Sequence, residues 1–151
     1  MQNTKQNPTQ KTTVDTLNGF LRGEISAVET YRQALDKLQA SPSRMQLEQC
    51  RRSHEQRVDR LRQEVVRLGG QPEEGSGAWG AFARVVEGSA KMLGEKAAIS
   101  ALEEGEDRGL KLYRDEIGKL DATARSVIES EVLPAQERTH QSLSTLKHSL
   151  H

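Results

Sequence analysis

Three glutamates and two histidines stand where a helical chain would bury its apolar side chains. Glu24 falls between Leu21 and Val28, and Glu106 between Leu102 and Leu110. His54 falls between Leu47 and the pair Val58 and Leu61, and His140 between Leu133 and Leu143. A glutamate is almost never fully buried unless it is paired or bound to a metal. Glu137 precedes His140 by three residues. Residues i and i+3 share a helix face, and at that spacing one helix offers a carboxylate and an imidazole to the same metal pair. Two chemistries are therefore open to these side chains. They can hold metal, or Arg51 or Arg57 can pair with the acids in a buried ionic cluster, a task suited to the bidentate, permanently charged guanidinium.

The acids recur by repetition. Residues 17–38 and 99–120 align at a constant offset of 82, which pairs Gly23-Glu24 with Gly105-Glu106 and Tyr31-Arg32 with Tyr113-Arg114. Each glutamate precedes a tyrosine by seven residues, two helical turns on one face. We expect Tyr31 and Tyr113 to be core aromatics whose hydroxyls bond the buried carboxylates. Gly23 and Gly105 weaken their helices by about 1 kcal/mol each relative to Ala, which a close helix–helix approach beside the glutamates would explain.

Four helices must position these groups. Leu17, Leu21, Val28, Tyr31, Leu35 and Leu38 form one stripe, and Leu47, Val58, Leu61, Val65 and Leu68 a second. Ser41-Pro42 reads as an N-cap with Pro at the first helical position, and Gly69-Gly70 as a helix stop. A third stripe runs from Ile99 to Leu120. A fourth, capped by Asp121, carries Val127, Ile128, Val132, Leu133, Leu143, Leu146 and Leu150, with a kink or interruption expected at Pro134. The two short connections imply antiparallel pairs. The long connection over 71–93, with a short helix around Trp79 and Phe82, suits a bundle whose second and third helices run parallel. Glu24 lies 17 residues before Ser41 and His54 13 after it, while Glu106 lies 15 before Asp121 and Glu137 16 after it. At about 1.5 Å rise per residue, all five groups could converge near the middle of the bundle.

The segment Gly23 to Tyr31, the Leu-Gly-Gly-x-Pro stop at Leu68 to Pro72 and the Gly-Glu-Asp at Gly105 to Asp107 resemble the ferritin-like superfamily of rubrerythrins and bacterioferritins. In texture the chain is closest to a bacterial ferritin-like family of unknown function. The resemblance covers about residues 14 to 148. It implies an all-α, ferritin-like four-helix bundle. It also implies a metal site in which Glu24, Glu106, Glu137 and His140 are ligands and His54 a fifth. Iron is the implied ion, with manganese and zinc also suited to such ligands, and the site would hold one or two ions, or none. The second helix departs from the pattern. Counted back from the Gly-Gly-x-Pro stop, its Glu-x-x-His position reads His54-Glu55-Gln56-Arg57, and one turn earlier Arg51-Arg52-Ser53-His54; in either register one bridging carboxylate is missing and an arginine is near.

Composition sets the outer limits. In 151 residues, 22 Lys and Arg balance 22 Asp and Glu, so no nucleic-acid or membrane partner is expected. Hydrophobic residues are 34% and aromatics 3% of the chain, lean for strands. One cysteine, Cys50, excludes an internal disulfide and reads as a buried inert thiol. No apolar run reaches a spanning length, and a cytoplasmic location is expected. Residues 1–12 read as a disordered tail and 13–151 as one domain. A homo-oligomer through helix faces or the Trp79 and Phe82 crossover is a possible assembly. Two functions stand side by side: a degenerate metal-binding, redox- or stress-related protein, and a non-enzymatic helical interaction protein whose Glu/His/Arg cluster is structural.

Overall fold

The computed structural model describes residues 7–77 and 80–150, excepting the side chains of residues 80–93. The fold is all-α, with no strand among the described residues. Helix α1 spans Pro8–Lys37, α2 Arg44–Arg67 and α3 Gly80–Glu116. A 3-10 turn at Ile117–Lys119 leads to a composite fourth arm. This arm consists of α4 (Ala122–Val127), a π-helical turn (Ile128–Val132) and α5 (Leu133–Ser149).

The helix ends follow from local chemistry, with two departures from the sequence reading. Helix α1 starts at Pro8, inside the stretch expected to be a disordered tail. Asn7 and Gln10 form a reciprocal capping box there, and Pro8 stands at the first position, where its missing N–H costs nothing. Helix α2 starts at Arg44, later than a cap at Ser41 implies. The Ser41 hydroxyl instead accepts the Ser43 amide in a turn at 3.0 Å. At the other end of α2, Gly69 takes φ +74°, and the Gly70 amide donates to the Val65 carbonyl at 2.9 Å. That 6→1 bond is the expected glycine stop. Asp121 caps the fourth arm as expected, accepting the Ala124 amide at 2.8 Å. The irregularity expected at Pro134 is present: a π-helical turn over Ile128–Val132 interrupts the α-helix just before it, and α5 starts at Leu133 with the proline in its first turn.

Cross-chain contacts fix the helix directions. The Thr13 hydroxyl accepts the Asp121 amide at 3.0 Å, and Val14 packs against Gly70. The start of α1 therefore meets the ends of α2 and α3. At the opposite end, Ser41 bonds Glu95. Helices α2 and α3 thus both oppose α1 and run parallel to each other, so the link between them must travel the length of the bundle. The helical stretch 80–93 lies in that link. Gly94, at φ +82° and ψ −167°, breaks α3 there before it resumes as the bundle helix. Trp79, and the side chain of Phe82 with it, lies outside the described residues.

Two apolar clusters fill the interior. One gathers Leu17, Phe20, Leu21, Leu61, Val65 and Ile128, and the other Leu35, Leu47, Ile99, Leu102, Leu143 and Leu146. Between them, at mid-height, lies a layer of buried polar side chains: Glu24, His54, Arg57, Glu106, Gln136 and Thr139.

Candidate metal sites: a buried ionic centre and a surface triad

The repeat explains the centre of the polar layer. Because α1 and α3 are antiparallel, the glutamate of each helix faces the tyrosine of the other. The Tyr31 hydroxyl donates to Glu106 at 2.6 Å, and Tyr113 donates to Glu24 at 2.5 Å. The expected tyrosine–carboxylate bonds therefore form, and they cross between the helices.

His54 bridges the two acids. Its Nδ1 lies 2.5 Å from Glu24 Oε1 and its Nε2 2.7 Å from Glu106 Oε2. Carboxylates only accept, so both ring nitrogens must donate, which makes the ring an imidazolium. Burial and the neighbouring Arg57 oppose that charge, but Glu106 and Glu24 outweigh them and raise the His54 pKa above its ordinary value. The ring also stacks on Tyr31 at a centroid distance of 5.3 Å.

Arg57, one turn on, is 3% exposed. Its Nη1 donates to Glu24 Oε2 at 3.3 Å and to the Gln136 side-chain carbonyl. Its Nη2 donates to Thr139 Oγ1 at 2.9 Å and to Ser53 Oγ at 3.1 Å. The Thr139 hydroxyl passes a bond on to Glu106 Oε1 at 2.7 Å, and the Gln136 amide donates to the same oxygen at 3.0 Å. Burial would raise both carboxyl pKa values. Arg57 and His54 overcome it at Glu24, and His54 and Arg57 hold Glu106 down at about 2.

This donor set does not fit a metal. All four oxygens of Glu24 and Glu106 already accept hydrogen bonds, and two carboxylates face two cations, so the cluster is neutral as it stands. Gln33 Oε1 is the sole buried side-chain polar atom without a partner among the described residues. The ionic alternative is thus realised through Arg57, whereas Arg51 pairs with Glu55 at 2.9 Å away from the centre. Cys50 is buried, and burial, with the Glu106 charge, pushes its thiol up to about 12. That suits an inert thiol.

Of the five expected ligands, Glu24, His54 and Glu106 come together, and Glu137 and His140 do not join them. Glu137 is half-exposed and lies 3.5 Å from Arg114. His140 turns outward to Asp107. The inward positions of α5 are one residue earlier, at Gln136 and Thr139. Sequence reasoning missed both, although the offset of 82 pairs His54 with Gln136 and Arg57 with Thr139.

His140 instead belongs to a second cluster on the outer side of the α3–α5 seam. Ligand atoms of Glu103, Asp107 and His140 all lie within 4.8 Å of one another, so the three could coordinate a metal ion. Glu103 and Asp107 share a face of α3 at i and i+4. Glu103 also meets the Ser144 hydroxyl at 3.2 Å and Lys147 at 3.5 Å.

The molecule is thus an all-α four-helix bundle with an ionic centre and a metal-competent surface triad. The chain belongs to the family described as domain of unknown function DUF2383, whose model matches residues 12–119. No curated protein and no solved structure matches it. The family match covers Glu24, His54, Arg57, Glu103, Glu106 and Asp107, and ends before Gln136, Thr139 and His140. Among the described residues, no helix is long and apolar enough to cross a membrane.

Proposed function

We propose that this chain is a ferritin-like bundle that binds a single divalent metal ion at Glu103, Asp107 and His140, while its buried carboxylates hold none. The observation that carries the reading is the convergence of one imidazole and two carboxylates from two helices within 4.8 Å. Oxygen and imidazole ligands suit iron(II), manganese(II) and zinc(II). Three protein ligands leave positions open to water, and the bound ion would compete with Lys147 for Glu103. Binding would clasp α3 to α5. This role is ion binding without di-iron chemistry in the core. The saturation of every Glu24 and Glu106 oxygen favours the second sequence-based reading for that core, a structural cluster.

The test is thermal unfolding of chelator-stripped protein, with and without each ion, the iron(II) arm being anaerobic. An ion at about 100 times its Kd stabilises the native state by about 2.7 kcal/mol, which raises Tm by several degrees. His140→Ala and Asp107→Asn should each abolish that rise. No rise with any of the three ions, or an unchanged rise in both variants, defeats the proposal.

A further inference from the structure

We infer that Arg57 and His54 are built-in counter-cations at the positions from which this type of bundle grips a metal pair. Four positions, 54, 57, 136 and 139, then decide whether the centre is ionic or metallic. The inference rests on the proposed reading of the core as metal-free and adds what made it so.

Three observations converge. First, the repeat continues into the second and fourth arms. His54 and Gln136 are equivalent, as are Arg57 and Thr139, so each arm presents an i, i+3 pair to the two glutamates. Second, a bundle that holds two metals supplies one Glu from each of two helices and Glu-x-x-His from each of the other two. Helices α1 and α3 keep their glutamates. His54 and Gln136 stand at the glutamate positions of the other two arms, and Arg57 and Thr139 at the histidine positions. Third, the substitutions balance charge. Losing two carboxylates leaves Glu24 and Glu106, and Arg57 with protonated His54 supplies the matching two positive charges. A cavity of about 40 Å³ lined by Gly23, Glu24, Gly105, Glu106 and Tyr113 adjoins the cluster, so the centre is not packed solid.

The converse follows. Reversing the four positions gives four carboxylates and two neutral imidazoles, whose charge two divalent ions balance. The probe is cobalt(II), added to protein carrying His140→Ala so that the surface triad is silent and its success or failure does not bear on the result. With the native core, this protein should retain no cobalt after gel filtration. Adding R57H and Q136E should give about one equivalent, and adding H54E and T139H as well about two, with visible ligand-field absorption. A variant that unfolds without metal should regain helical circular dichroism on refolding with cobalt, because binding energy becomes folding energy. Cobalt retained by the native core and lost on Glu106→Gln overturns the inference. So does a rebuilt core that folds yet retains none, or that fails to refold even with cobalt.

Discussion

Arg57 ties the two sides of the polar centre together. It neutralises Glu24 and orders Gln136 and Thr139, which in turn hold Glu106. Removing one partner of a buried ion pair costs about 3–5 kcal/mol, because the other charge is left uncompensated. Arg57→Ala should therefore lower the urea unfolding free energy by that amount, and adding Glu24→Gln should recover part of it. His54 sets the pH response. Its pKa is raised from 6.5, so its contribution is complete below about pH 6.5 and is lost as pH rises through the folded value. Glu24 and Glu106 are lowered from 4.5, so theirs is present above about pH 4.5 and is lost in acid, for Glu106 as pH falls through about 2. Stability should thus be greater at about pH 5.5 than at about pH 8, below the range in which the raised Cys50 thiol adds its own alkaline loss, and His54→Gln should remove most of that difference. Urea midpoints at the two pH values measure it; equal alkaline loss in His54→Gln would remove His54 as the cause. Glu24, Glu106 and His54 were legible because apolar neighbours framed them. Glu103 and Asp107 were not, because charges on a partly solvated helix face look alike whether or not they ligate.

At the scale of elements, register decides which side chains meet. Helices α1 and α3 were legible in phase, since their repeat locks glutamate against tyrosine across an antiparallel pair, but not in where they start. The fourth arm was legible in extent only. Between Leu133 and Leu143 both the pair 136 and 139 and the pair 137 and 140 suit an apolar stripe. The choice rests on the π-helical turn before Pro134, whose wider winding sets the phase of everything beyond it. A stripe of apolar residues carries no record of such a turn. The α3–α5 seam also depends on Gly109. A Cβ there would lie 2.9 Å from the Gln136 side-chain nitrogen that donates to Glu106. Gly109→Ala, despite its better helix propensity, should destabilise by about 1–3 kcal/mol, the range for overpacking a tight site. Thermal melts check it, and a rise in Tm would mean that Gln136 moves aside without consequence.

For the whole molecule, the neutral total of 22 against 22 charges conceals two separate neutralities. At the centre, Glu24 and Glu106 are matched by His54 and Arg57 with no ion required. Outside, the two acids and the imidazole at the α3–α5 seam lie beside Lys147, and the proposed divalent cation would take that lysine's place at Glu103. The four-helix architecture, its long crossover and the two central glutamates, Glu24 and Glu106, were readable from periodicity and repetition, whereas the burial of Glu64 and the exposure of Glu137 were not. The division of labour between centre and surface was not, because it depends on a one-residue rotation of α5. Equilibrium dialysis of chelator-stripped protein against zinc(II), followed by elemental analysis, tests the division most directly. About one equivalent should bind to the wild type, be lost in His140→Ala and be retained in Glu106→Gln. Retention in His140→Ala together with loss in Glu106→Gln would contradict this division, and would return the metal to the centre of the bundle.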